Sequence, residues 1–177
     1  MTWSAPTYVL TGVVLACLLL AMVTDLADRI IPNWLVLVVL CTCIVLRLVS
    51  GPGPFWVSLL SAMAVLAVLS PLGANDLLGW GDVKLITAVT FAVPAGRVIT
   101  LLFAITLAGG LLSCVYLAVR FALRRAATWP VDAASDAGRG WSLRRVAYRE
   151  GARILANEPM PYAAAIFGGV ACGLAIR

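Results

Sequence analysis

The chain has 177 residues, 63% of them apolar and 12% charged, with a net charge of +5 and no histidine. Soluble domains run at roughly 45–50% apolar and about 25% charged, so a chain this apolar takes lipid for much of its solvent. That excludes a soluble enzyme, a disordered chain and a disulfide-rich secreted module, and the missing histidine removes imidazole as base or metal ligand.

A helix needs about 20 residues to cross the hydrocarbon core. Tyr8–Thr24 reads as the first span, retained in the membrane because no basic region precedes it as in a cleavable signal. The charged stretch Asp25-Leu26-Ala27-Asp28-Arg29 interrupts it. Pro32 then falls where a starting helix tolerates proline, and Trp34–Val49 is the second span. Ser50-Gly51-Pro52-Gly53-Pro54 is a turn by composition, and Phe55–Leu72 is the third span. Gly73–Asp82 is polar and glycine-rich, hence a loop. Val83–Val93 is apolar but only eleven residues long, and Pro94-Ala95-Gly96-Arg97 again signals a turn. Val98–Val119 is long and apolar, Arg120–Glu158 is the one sizeable polar segment, and Pro159–Ile176 is the last span. The five cysteines, at 17, 41, 43, 114 and 172, lie inside apolar runs and read as small buried side chains.

Charge placement orients these segments. Eight of the 13 basic residues (Arg120, Arg124, Arg125, Arg139, Arg144, Arg145, Arg149 and Arg153) fall in the polar segment, which Asp132, Asp136, Glu150 and Glu158 offset only to +4. The positive-inside rule puts that segment in the cytoplasm. Counting the short run as a span then places the loops at Asp25–Asn33 and Gly73–Asp82 on the same face, which Arg29 and Lys84 favour, while Arg47 and Arg97 fall outside. The expected architecture is one all-α, polytopic membrane helix bundle over 1–177, with about six spans, the N-terminus outside and the fourth helix short, tilted or extended past Pro94. Within the polar segment Leu143, Val146, Ala147, Glu150 and Ile154 follow helical spacing behind Trp141, with only Glu150 breaking the apolar stripe. Either an Arg-rich helix on the lipid surface or an ordinary solvated loop fits that pattern. Nucleic acid is not expected as a partner.

Four of the eight acidic residues belong to the polar segment and need no explanation. The other four are Asp25, Asp28, Asp76 and Asp82. Acids at membrane depth default to functional candidates, though helix ends lower their cost, and for Asp28 and Asp76 a solvated loop position suffices. Asp25 closes the first span and Asp82 opens the fourth, in Gly79-Trp80-Gly81-Asp82. A helix N-terminus favours an anion, and the two glycines clear space beside the carboxylate. Parity puts both acids at one depth. Two close carboxylates do not both ionise easily, so a pair can share a proton, activate a water and hydrogen-bond a developing oxyanion. From the residues alone a hydrolytic pair, an ion path and structural carboxylates all remain open.

Gly79-Trp80-Gly81-Asp82-Val83-Lys84-Leu85 resembles the G-x-G-D-x-K-L signature of the type IV prepilin peptidases, a family of aspartic membrane peptidases. Asp25, with Pro32 and Asn33 following, resembles that family's other aspartate motif, and Pro161-Tyr162 with Gly168-Gly169 beyond is similar to its final-span motif. The resemblance implies an endopeptidase that removes the short basic leader of prepilin-like membrane proteins at the cytoplasmic face of the inner membrane. It implies Asp25 and Asp82 as the catalytic pair, Gly79, Gly81, Lys84, Pro32 and Asn33 as supporting motif positions, and neither metal nor cofactor. For Lys84 two roles are open, neutralising nearby carboxylates or marking the inner side. Longer members carry an N-terminal region with two cysteine pairs linked to methylating the new N-terminus. With no such pair and seven residues before the first span, methylation and an S-adenosylmethionine site are not expected. A small proton-coupled transporter and a non-catalytic pilus assembly factor are the alternatives. The first predicts polar residues along the spans, where Thr87, Thr90, Thr100 and Thr106 are the few on offer.

Overall fold

The computed structural model describes residues 5–49, 55–75, 77–125, 143–156 and 160–175, and the backbone there is helical, with no strand among the described residues. Among the described residues seven helices follow in chain order: α1 Ala5–Asp28, α2 Asn33–Val49, α3 Phe55–Ala74, α4 Trp80–Ala92, α5 Ala95–Arg125, α6 Leu143–Ala156 and α7 Tyr162–Ala175. The expected turn at 50–54, Asp76, and the polar stretch holding Asp132, Asp136, Arg139 and Trp141 lie outside the described residues, as do Glu158 and the side chains of 143–149.

Proline and backbone satisfaction set most of the boundaries. The charges after Thr24 do not end α1, as expected from composition; the helix runs one more turn to Asp28, because a backbone near lipid keeps its hydrogen bonds internal. It stops at Arg29, whose N–H still reaches the Asp25 carbonyl at 3.0 Å but whose φ of 57° turns the chain out of the helix. Pro32, with no N–H to give, precedes α2 and accepts from Leu35 and Val36 through its carbonyl. The Gly73–Asp82 loop is shorter than expected. α3 runs through Ala74 with Pro71 in its last turns, and α4 already begins at Trp80. Pro94 then ends α4 rather than letting it extend, and Arg97 N–H bonds the Pro94 carbonyl at 2.8 Å to start α5. α5 reaches Arg125, two turns into the segment expected to be a loop.

By length and composition α1, α3 and α5 are long and apolar enough to cross a membrane, and α2 and α7 are shorter apolar helices. At 31 residues α5 spans about 46 Å, more than the hydrocarbon core requires, so its arginine-bearing end projects beyond it. α4 spans only about 20 Å, which is short for a membrane crossing. Its position resolves the discrepancy. α4 packs among α2, α3 and α7, and Val83, Leu85, Ile86, Ala88, Val89 and Phe91 are buried. A helix enclosed by protein does not have to match the bilayer thickness. Outward, the row Ile99, Phe103, Leu107 and Leu111 on α5 is exposed at four-residue spacing, a lipid-facing stripe.

Between lipid-facing helices the hydrophobic effect gives no net drive, so association depends on close packing and internal polar contacts. α5 and α7 show the first. A Cβ added at Gly169 would fall 2.6 Å from the Ile105 nitrogen and closer still to its Cα, and one at Gly109 would sit 3.0 Å from the Tyr162 ring. α2 and α3 show the second. Arg47, expected simply on the outer side, is buried and donates from Nε to the buried Ser58 Oγ at 2.6 Å.

Gly169→Ala should therefore overpack a backbone-to-backbone contact and lower stability by about 1–3 kcal/mol, read as a reduced Tm in detergent. Gly110→Ala, in open space on the same α5, should be neutral or stabilising by up to about 1 kcal/mol.

Candidate functional site

The last turn of α1, the first turn of α4 and the N-terminus of α7 converge at one end of the bundle. Asp25 is 7% exposed, on a helix that is mostly apolar. Its Oδ2 accepts the backbone N–H of Ala163 at 3.2 Å. Ala163 is the second residue of α7, just after the buried Pro161, so its N–H is among those a helix start leaves without an internal partner. The carboxylate thus takes an orphan amide and lies at the positive end of the α7 dipole. The Pro-Tyr motif acts here through its backbone, with proline fixing where α7 begins.

Asp82 is the third residue of α4 and 8% exposed. Its two oxygens differ. Oδ2 leans back over Gly79, where an added Cβ would lie 2.9 Å away. Oδ1 is buried and has no hydrogen-bond partner among the described residues. Gly79 has φ −61° and ψ 136°, open to any residue, so the need for glycine here is one of space. Gly81 clears a different neighbour: its Cβ would come within 3.1 Å of the Ile31 side chain, in the connection between α1 and α2.

Asp25 and Asp82 lie close enough for their charges to repel each other, and the Tyr162 hydroxyl is within electrostatic range of Asp82. The structure therefore unites the two acids singled out in the sequence. The other motif residues surround them without joining them. Lys84 is exposed and donates from Nζ to Asn33 Oδ1 at 3.2 Å, tying α4 to the start of α2, and it forms no ion pair with Asp25 or Asp82. Pro32 sets the start of α2. Asp28 is exposed at the end of α1, one turn past Asp25. Among the described residues no three His, Cys, Asp or Glu groups are placed to hold a metal ion.

The residue that sequence reasoning missed is Glu150. Set aside as one of four acids of the polar segment that need no explanation, it is half-buried on α6 at the centre of a polar cluster. Arg29 reaches it at 3.0 Å, Arg153 at 2.8 Å, and the Tyr116 hydroxyl of α5 donates to its Oε2 at 2.8 Å. The available signal was its position as the only polar break in the apolar stripe of α6.

Over residues 12–114 the chain matches the family model described as the type IV leader peptidase family. The match covers more than half of the chain, including Asp25, Pro32, Asn33, Gly79, Gly81, Asp82 and Lys84, and the chain belongs to that family. It is accordingly a membrane-embedded peptidase. No curated protein and no solved structure shows a significant match.

Gly79→Ala should displace the Asp82 carboxylate and lower peptidase activity about tenfold or more, with the helix content and Tm nearly unchanged. Gly81→Ala, which meets a side chain able to give by a few tenths of an ångström, should cost less activity in the same assay.

Proposed function

We propose that this peptidase is an aspartic endopeptidase that removes the short leader of prepilin-like membrane proteins at the cytoplasmic face of the cell membrane. The observation that carries this reading is that two buried carboxylates, Asp25 and Asp82, from helices separated in sequence, come within electrostatic range of each other at one end of the bundle. The pair shares a proton and titrates as a unit. Between them they hold a water, draw its proton as it attacks the scissile carbonyl, and hydrogen-bond the oxygen that becomes the tetrahedral oxyanion. The unpartnered Asp82 Oδ1 is the atom free to take up such a contact. Collapse of the intermediate breaks the C–N bond: the leader keeps the carbonyl as a new carboxyl group, and the mature chain leaves as the new amine, taking the shared proton. The substrate's apolar helix stays in lipid against the bundle while the junction reaches the aspartates at the membrane boundary.

Sidedness follows from charge. α6 docks on the end of α1 that carries Asp25, through Arg153 to the Leu26 carbonyl at 3.0 Å and Arg29 to Glu150. The arginine-rich segment and the aspartates thus share one end of the bundle, and the positive-inside rule makes that end cytoplasmic. The N-terminus then lies outside, with six helices crossing. The transporter alternative finds less support. The hydroxyls of Thr87, Thr90 and Thr106 each bond back to a carbonyl of their own helix, at 2.8 Å in every case, instead of lining a path.

Asp25→Asn and Asp82→Asn, purified in detergent and given a prepilin-like substrate with a basic leader, a glycine junction and an apolar helix, should each lower leader removal by about 10²–10⁴-fold. Near-normal cleavage by either variant would refute the pair. An ion flux abolished by Asp82→Asn without any proteolysis would favour the transporter. Reporter fusions should place residues 126–142 inside and the N-terminus outside.

A further inference from the structure

The end of α1 has an electrostatic problem that its own sequence does not solve. Its last turn carries two acids, Asp25 and Asp28, and no base, so negative charge sits at the negative end of the helix dipole. The cations come from the residue just after the helix, Arg29, and from α6. Arg153 of α6 donates from Nη1 to the Leu26 carbonyl at 3.0 Å and from Nη2 to the Ala27 carbonyl at 3.3 Å. These are the two carbonyls directly after Asp25, left open by the end of the helix. Arg29, whose N–H closes the hydrogen bond to the Asp25 carbonyl, sends its guanidinium to both Glu150 oxygens, at 3.0 and 3.3 Å. Glu150 also pairs with Arg153 at 2.8 Å and accepts from Tyr116 at 2.8 Å. One carboxylate on α6 thus orients the Arg153 guanidinium that grips the turn bearing Asp25, holds the side chain of Arg29 that follows the turn, and anchors both to α5. Glu150 is itself within electrostatic range of Asp25, but makes no contact with it among the described hydrogen bonds.

We propose that Glu150 is a positioning residue for Asp25, and that α6, docked through Glu150, Arg153 and Arg29, is the clamp that holds the last turn of α1 against α7 and α4 for turnover. This rests on the reading of Asp25 and Asp82 as the catalytic pair. Side-chain packing alone does not account for the cluster. Its two Arg153 bonds end on the backbone of one turn, across 126 and 127 residues of sequence, and that turn holds the carboxylate bonded to the α7 amide. Loosening the clamp leaves Asp25 in place chemically but lets its turn drift, and a misplacement on the order of 1 Å costs up to about a hundredfold in rate. The expected defect therefore lies in kcat and not in KM.

The test uses the full chain in detergent micelles with the prepilin-like substrate described above, reading kcat and KM separately and the Tm of each variant. Glu150→Gln should lower kcat about ten- to a hundredfold with KM within about twofold. Glu150→Asp, which keeps the charge, should recover part of that loss. If Glu150→Gln does not fold, Tyr116→Phe and Arg153→Lys are the gentler probes, and each should lower kcat with KM unchanged. A folded Glu150→Gln of normal kcat, a defect confined to KM, or a Glu150→Asp no better than Glu150→Gln overturns the clamp, as does normal kcat in both gentler variants. Asp25→Asn in the same assay separates the two ideas. If it is inactive while Glu150→Gln runs at full rate, the clamp alone fails. If it is active, the catalytic pair fails and the clamp with it.

Discussion

A carboxylate inside an apolar bundle must find its hydrogen-bond donors within the protein, because lipid offers none. Asp25 meets this constraint through the amide of Ala163, and much of the architecture follows from that single bond. It joins the first helix to the last, uses an amide freed where α7 begins just after Pro161, and brings the positive end of the α7 dipole to the acid. Asp82 is placed by the opposite logic. It opens a helix and rests on a glycine, yet one buried oxygen has no described partner. One acid is anchored and the other is left available, an asymmetry suited to the hydrolytic pair proposed above.

Reaching that arrangement depends on how closely the helices pack. With lipid as apolar as the side chains, the gain comes from van der Waals contact at short range. Gly169 lets α7 lie on the Ile105 backbone of α5, and Gly109 makes room for the Tyr162 ring. Tyr162 immediately precedes Ala163, so the seat that α5 provides for the ring also sets the position of the amide that Asp25 accepts. At the other side α4, enclosed by α2, α3 and α7, delivers Asp82 from the centre of the bundle. The short helix is thus short because it is interior. The charged segment after α5, which composition marks only as cytoplasmic, returns through α6 to brace the turn that carries Asp25.

What could be read from the chain was local. Apolar runs longer than a membrane is thick announce helices in lipid, and Pro32 and Pro94 punctuate them, since a residue with no N–H restricts what precedes it wherever it stands. The acids stood out for the same reason: charge in an apolar run has a cost that asks for an explanation. Errors fell at the ends of elements. α1 and α5 outran their apolar runs, because a helix near lipid continues until its carbonyls are satisfied, whether or not its side chains are polar.

Composition, periodicity and charge asymmetry by themselves determined that this is a membrane helix bundle and that Asp25 and Asp82 are its distinctive acids. Only the tertiary structure decided what those acids touch. The partner of Asp25 is a backbone amide 138 residues away, and an amide has no side chain by which a sequence could mark it. Glu150 looked like any loop acid until folding set it between Arg29 and Arg153, because whether a charge is solvated or structural depends on which distant groups arrive beside it.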